Sequence, residues 1–191
     1  MSKTNGSKQK WLEEAYVHFG EYGPDRLNIK SLAEKAGLPR TNFYYHFADK
    51  EDLIEQLLHM HNEVAENYCV ILKEQMQVFI PDFHKIIVQY PQGFKFQRQL
   101  FLNRNDYRLN LVYIKCNISC NPAIIPKLIE YYKLNVPYSV AESLWSTVTD
   151  TWYSRLDVNN FNVAYLCGLT EEIMKTVLDF AKTKLFVNSI K

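Results

Sequence analysis

A chain of 191 residues with a formal net charge of +1 is long enough for one sizeable core or two modest ones, and it is not a generally basic polyanion binder. No apolar run approaches the length of a membrane span, and the polar start lacks the apolar centre of a signal peptide, so a cytoplasmic protein is expected. The four cysteines (Cys69, Cys116, Cys120, Cys167) include no C-x-x-C pair and fit a reducing compartment. Of six glycines only Gly93 and Gly168 lie beyond position 37, which disfavours tight hairpins and glycine-rich phosphate loops.

Apolar residues recur at helical spacing almost throughout, and the chain reads as all-α. The first ten residues hold Lys3, Lys8 and Lys10 and no acid, and read as a solvated basic arm. In "SKQKWLEEAYVHFGEYG" the residues Trp11, Leu12, Ala15, Tyr16 and Phe19 share one helical face, and Gly20 or Gly23 can end the helix. Asn28 can cap a short helix, "IKSLAEKAG", that buries Ile29, Leu32, Ala33 and Ala36, with Gly37 as the turn behind it. A third short helix runs from about Pro39 to Phe47. Asp49 is suited to cap a long helix whose stripe continues to Pro81, roughly 45 Å at 1.5 Å per residue.

After Pro81 the prolines suggest shorter pieces at about 82–90, 94–103, 105–120 and 124–133. Two long amphipathic helices close the chain. The first carries Ala141, Leu144, Trp145, Val148, Trp152 and Leu156; the second carries Val163, Leu166, Cys167, Ile173, Val177, Phe180 and Ala181. No internal repeat is evident.

The segment Phe43-Tyr44-Tyr45-His46-Phe47 is dense in rings yet rich in hydroxyls. Two short helices joined at Gly37, with a third packed before them, form a helix-turn-helix unit that offers its second helix to the DNA major groove. Phe43 and Phe47, four apart, face inward. Arg40, Thr41, Tyr44 and Tyr45 then point outward, with His46 at the edge, where hydroxyls and guanidinium reach base edges or phosphates.

The block "IKSLAEKAGLPRTNFYYHFADKEDLIEQLL", preceded by "EEAYVHFGEYG", resembles the DNA-binding signature of the tetracycline-repressor (TetR) family, over about the first third of the chain. The resemblance implies base or nearby phosphate contacts for Arg40, Thr41, Tyr44 and Tyr45, backbone contacts for His46 and Lys50, and an exposed Lys30 on the preceding helix. Pro39, Thr41 and Ser31 depart from the commonest family residues. It further implies a head over residues 1–48 and a helical dimerisation and ligand-binding domain over 49–191. The expected partners are double-stranded DNA, a second copy of the chain and a small-molecule effector, with no membrane, no cofactor and no metal. The function implied is repression relieved at a palindromic operator by a small apolar or aromatic ligand.

Candidate ligand-binding residues are Phe79, Phe83, Phe101, Tyr107, Tyr113 and Trp145, which a helical domain could equally use as core. Arg98, Arg104 or Arg108 could hold an acidic end of a ligand. Candidate dimer-interface residues are Ala141, Val148, Trp152, Ile173, Val177 and Phe180, with cover of the chain's own core as the alternative. Cys116 and Cys120, four apart on one helical face, invite a metal or redox-sensor reading but are read as buried, inert cysteines. No G-x-S-x-G, H-E-x-x-H, P-loop or dinucleotide glycine pattern occurs, so an enzyme is not expected. A helical protein-interaction adaptor, or a regulator without a small-molecule ligand, is the alternative.

Overall fold

The computed structural model describes residues 3–188, with side chains described for 6–180. Every regular element among the described residues is helical, as expected. In chain order these are α1 (Lys3–Tyr22), a 3-10 turn (Pro24–Arg26), α2 (Ile29–Ala36), α3 (Arg40–His46), α4 (Lys50–Gln75), α5 (Asp82–Ile87), α6 (Pro91–Leu102), α7 (Tyr107–Tyr132), α8 (Tyr138–Arg155) and α9 (Val163–Asn188). The chain forms two compact units. The first comprises residues up to Val70 with Tyr90–Cys120; the second comprises Ile71–Gln89 with the residues from Asn121 on. The division falls inside α4 and inside α7.

The first unit is built around α1. Its helical stripe Trp11, Ala15, Tyr16 and Phe19 is buried, together with Leu32, Ala33, Phe43, Phe47, Leu53 and Leu57. Gly20 lets α6 approach closely, since a Cβ there would meet Lys95 Cβ and the Phe96 nitrogen at 3.3 Å. Phe96 of α6 stacks on Tyr16, Phe19 and His61, with ring centroids 4.4, 4.1 and 4.5 Å away. Rings in offset stacks add to the apolar burial that holds these helices.

The second unit gathers rings around Phe79, which contacts Phe83, His84, Tyr131, Tyr132 and Trp145 at centroid distances of 5.4–6.3 Å. His84 Nε2 is 2.8 Å from Thr170 Oγ1, joining α5 to α9 inside this core. Asn162 caps α9 by accepting the Tyr165 N–H at 3.0 Å.

Four expectations are corrected. The basic arm is not separate from the fold, because α1 already runs through Lys8 and Lys10; the side chain of Lys3, like that of Ala181, lies outside the described residues. The helix α4 stops at Gln75 rather than continuing to Pro81. Asp82 Oδ2 accepts the N–H groups of Gln77 and Val78 at 3.2 and 3.1 Å, turning the chain back so that Met76 and Phe79 are buried.

Pro122 and Pro126 do not break the chain into pieces; both lie inside α7. They are four apart and exposed, so the two missing donors fall on one solvent-facing side, where water can satisfy the freed carbonyls. The opposite side stays packed through Ile124, Ile125 and Leu128. Finally, two cysteines expected as thiols are joined: Cys69 of α4 is disulfide-bonded to Cys120 of α7, with Cα atoms 5.0 Å apart. Cys116 and Cys167 are free thiols. Fifty-one positions separate the bonded pair in sequence, so no spacing pattern could reveal it.

Candidate nucleic-acid interface

The turn between α2 and α3 is set by local chemistry at both ends. Asn28 Oδ1 accepts the backbone N–H groups of Lys30 and Ser31 at 2.9 and 3.2 Å, starting α2. Gly37 ends it in the left-handed conformation (φ 64°, ψ 33°), and the Leu38 N–H returns to the Ala33 carbonyl at 3.1 Å. That closure satisfies the terminal carbonyls of α2 and reverses the chain within a few residues. Pro39, extended at φ −61° and ψ 138°, then leads into α3.

Two anchors fix how α3 is rotated. Phe43 and Phe47 are buried with centroids 5.0 Å apart, and Trp11 of α1 meets Phe43 edge-on at 5.3 Å. The Trp11 Nε1–H also donates to Asn42 Oδ1 at 3.0 Å. A further bond, 2.7 Å between Ser7 Oγ and His46 Nε2, ties the last residue of α3 to α1. Ser7, Trp11 and Asn42 were not legible as positioning residues, because their partners lie 31 to 39 positions away.

With its inner side held, α3 presents Arg40, Thr41, Tyr44 and Tyr45 to solvent, Tyr44 and Tyr45 being 55% and 71% exposed. Large rings left this open on a short helix need a reason other than packing. Lys30 is exposed on α2, and Lys50 is half-buried at the start of α4. There Asp49 Oδ1 accepts the Asp52 N–H and Asp52 Oδ2 accepts the Ala48 N–H, both at 2.9 Å, a reciprocal cap. Hydrogen bonds from Gln56 and from the Ala48 N–H hold the Asp52 carboxyl below its ordinary value, with Lys8 adding its charge. The arrangement offers a guanidinium, three hydroxyls and flanking lysines on one side of a rigid three-helix unit.

The other sequence candidates are distributed as follows. Phe79, Phe83 and Trp145 meet in the second unit, with Phe83 and Trp145 centroids 5.6 Å apart. Phe101 and Tyr113 meet in the first unit at 5.6 Å, while Tyr107 is exposed. Arg108 does not offer itself to a ligand acid, because its guanidinium is already paired with Asp106, Glu51 and Glu55 at 2.8–2.9 Å. Arg104 lies over the Phe101 ring at 4.4 Å.

Ala141, Val148, Trp152 and Ile173 are buried within the chain itself, so they cover its own core rather than a face open to a second copy. Val177 is half-buried and Phe180 is exposed. Among the described residues no three His, Cys, Asp or Glu side chains are grouped to hold a metal, and no helix is long and apolar enough to cross a membrane.

Residues 12–57, which contain the capped α2, the Gly37 turn and α3, match the sequence profile of bacterial regulatory proteins of the tetR family. Over these residues the chain resembles the tetR family. The HTH-type transcriptional repressor AcnR of Corynebacterium diphtheriae is 26% identical over 181 residues, 88% of this chain and 92% of its own. The repressor KstR2 of Mycobacterium tuberculosis is 32% identical over 56 residues, 29% of this chain and 28% of its own.

Solved structures share the fold. NemR of E. coli superposes with a TM-score of 0.61 at 13% identity, covering 88% of this chain and 95% of its own. GusR of Salmonella enterica gives 0.59 at 14%, covering 92% and 97%. Members of the tetR family are DNA-binding transcriptional regulators and not enzymes.

Proposed function

We propose that this chain is a tetR-family regulator that works as a homodimeric repressor, with residues 1–48 as reading head and 49–191 as dimerisation and effector domain. The observation that carries the reading is the split of α3: Phe43 and Phe47 buried, Arg40, Thr41, Tyr44 and Tyr45 exposed. Those four contact bases and nearby phosphates, while Lys30, Lys50 and the ring nitrogen of His46 not used by Ser7 contact the DNA backbone. Two heads related by a two-fold axis require a palindromic or nearly palindromic operator, with half-sites about one helical turn or a multiple apart.

Release by a small apolar or aromatic ligand extends this reading. Such a ligand inserts against Phe79, Phe83 and Trp145, or against Phe101 and Tyr113. It lowers operator affinity only if it binds more tightly to the head spacing that does not fit DNA. The cytoplasm is the compartment in which such a regulator meets DNA.

Selection of genomic fragments on the purified protein, followed by a mobility shift on the recovered sequence and on scrambled DNA, tests the core of the proposal. A recovered palindrome that is held at a salt concentration where scrambled DNA is released supports it. Retention without sequence preference would overturn the repressor reading.

A further inference from the structure

Within the first unit α4 and α7 are tied at three levels. Arg108 pairs with Glu51 and Glu55; Cys116 Sγ lies 3.9 Å from Asn62 Oδ1; and Cys69 is bonded to Cys120. The ties come in the same order along both helices, so the helices run in one direction along a shared seam. The reading head feeds into the start of α4 at Asp49, and the cysteine pair sits about 30 Å further along it at 1.5 Å per residue.

The ties differ in kind. The Arg108 pairs are exposed, and exposed ion pairs contribute little. The contact at Cys116 is a long, weak one. Only at Cys69–Cys120 can a chemical event convert a loose end of the seam into a fixed one.

We propose that Cys69 and Cys120 are a thiol–disulfide switch, oxidised by hydroperoxides, that fixes or frees the far end of the head-bearing helix and thereby changes operator affinity. The affinity half rests on the operator-binding reading above. Cys69 is half-buried and Cys120 buried, so peroxide meets Cys69 first. The Cys69 thiolate attacks the terminal peroxide oxygen: an S–O bond forms, the O–O bond breaks, and the other oxygen takes a proton and leaves as water from hydrogen peroxide, or as an alcohol from an organic hydroperoxide. Cys120 then gives up its proton and attacks the Cys69 sulfur. The S–S bond forms, the S–O bond breaks, and hydroxide leaves as water with that proton. The two sulfurs lose two electrons and the peroxide gains them. A dithiol reductant reverses the bond and ends as its own disulfide.

The other thiols stay out of this exchange. Cys116, one turn before Cys120, is buried, and burial pushes its thiol up to about 12, which leaves almost no thiolate to react. Cys167 belongs to the second unit and is raised by burial as well.

The test uses the full-length protein treated with hydrogen peroxide or with dithiothreitol, then labelled with a maleimide after denaturation. Two thiols should label in the oxidised form and four in the reduced form; Cys69→Ser and Cys120→Ser should each label three in both. Operator affinity of the wild type should differ between the two forms by at least about fivefold, the lower end of typical coupling. The difference should persist in Cys116→Ser and vanish in Cys69→Ser and Cys120→Ser. Four labelled thiols after peroxide, or equal affinities with the bond formed, overturn the switch. The wild-type comparison stands without the variants should one fail to fold. If neither form retains DNA, the operator-binding reading falls together with the affinity half, and labelling still decides the bond.

Discussion

Tyr16 and His61 are joined by a 2.7 Å hydrogen bond between α1 and α4, and its direction is fixed by a third residue. The Gln97 Nε2 lies 3.1 Å from the Tyr113 carbonyl and 3.0 Å from Asn117 Oδ1, so it is the amide nitrogen and donates to both. The amide oxygen therefore accepts from His61 Nε2 at 2.7 Å. His61 is then a neutral imidazole protonated at Nε2, and its bare Nδ1 accepts the Tyr16 hydroxyl hydrogen.

Buried neutral histidines make stability depend on acid. Burial lowers both His61 and His84 to about 4 from 6.5. Between those values the unfolded chain binds more protons than the native one, so stability falls as pH drops from about 6.5 to about 4. The loss is on the order of 3 kcal/mol per site at most. Asp52, Asp82 and Asp106 are held low, chiefly by hydrogen bonds from Gln56, the Val78 N–H and Arg108. Their contribution is present above their unfolded value near 3.8 and is lost only below it, outside the histidine window. Urea midpoints measured from pH 7 to 4.5 should decline steadily, and less steeply in His84→Gln; a flat profile would contradict neutral burial.

Gly37 offers a clean test of the turn. A Cβ there meets nothing within 4 Å, so Gly37→Ala introduces no clash, only the cost of a positive φ. The loss should be about 1 kcal/mol, and smaller for Gly37→Asn, which visits that conformation more readily. Equal stability of all three proteins in denaturant titrations would remove the left-handed requirement.

Tyr44 is exposed and holds no core together, so Tyr44→Ala should leave the melting temperature nearly unchanged. It should weaken binding to the selected operator by about 1–3 kcal/mol and binding to scrambled DNA far less. Lys50→Ala should weaken both alike and flatten the log–log salt dependence by about 0.9. Anisotropy titrations at several salt concentrations separate the two roles, and equal losses for Tyr44→Ala on both DNAs would take it out of base reading.

Assembly is testable on α9. Phe180 is 64% exposed on the chain by itself, whereas Val148 of α8 is wholly buried. Phe180→Glu should shift a dimer toward monomer in sedimentation while the fold persists. Val148→Glu places a carboxylate in the chain's own core and should cost the fold itself, because an unpaired buried charge is not tolerated. A wild-type monomer at micromolar concentration would remove the dimer.

What the sequence determined by itself is local. The Asn28 and Asp49 caps, the Gly37 turn and the inward pair Phe43 and Phe47 follow from short-range hydrogen bonding, backbone freedom and helical period, and they suffice to delineate α2, the turn and α3. Tertiary structure decided what depends on partners far along the chain. It set the Ser7–His46 and Trp11–Asn42 bonds that orient α3, the carboxylates that occupy Arg108, and the Cys69–Cys120 pair. It also decided that Pro122 and Pro126 stay inside a helix, because packing on the opposite side offsets two lost hydrogen bonds, and that Val148 faces its own core. An apolar stripe states that a face is covered; only the packed chain states by what.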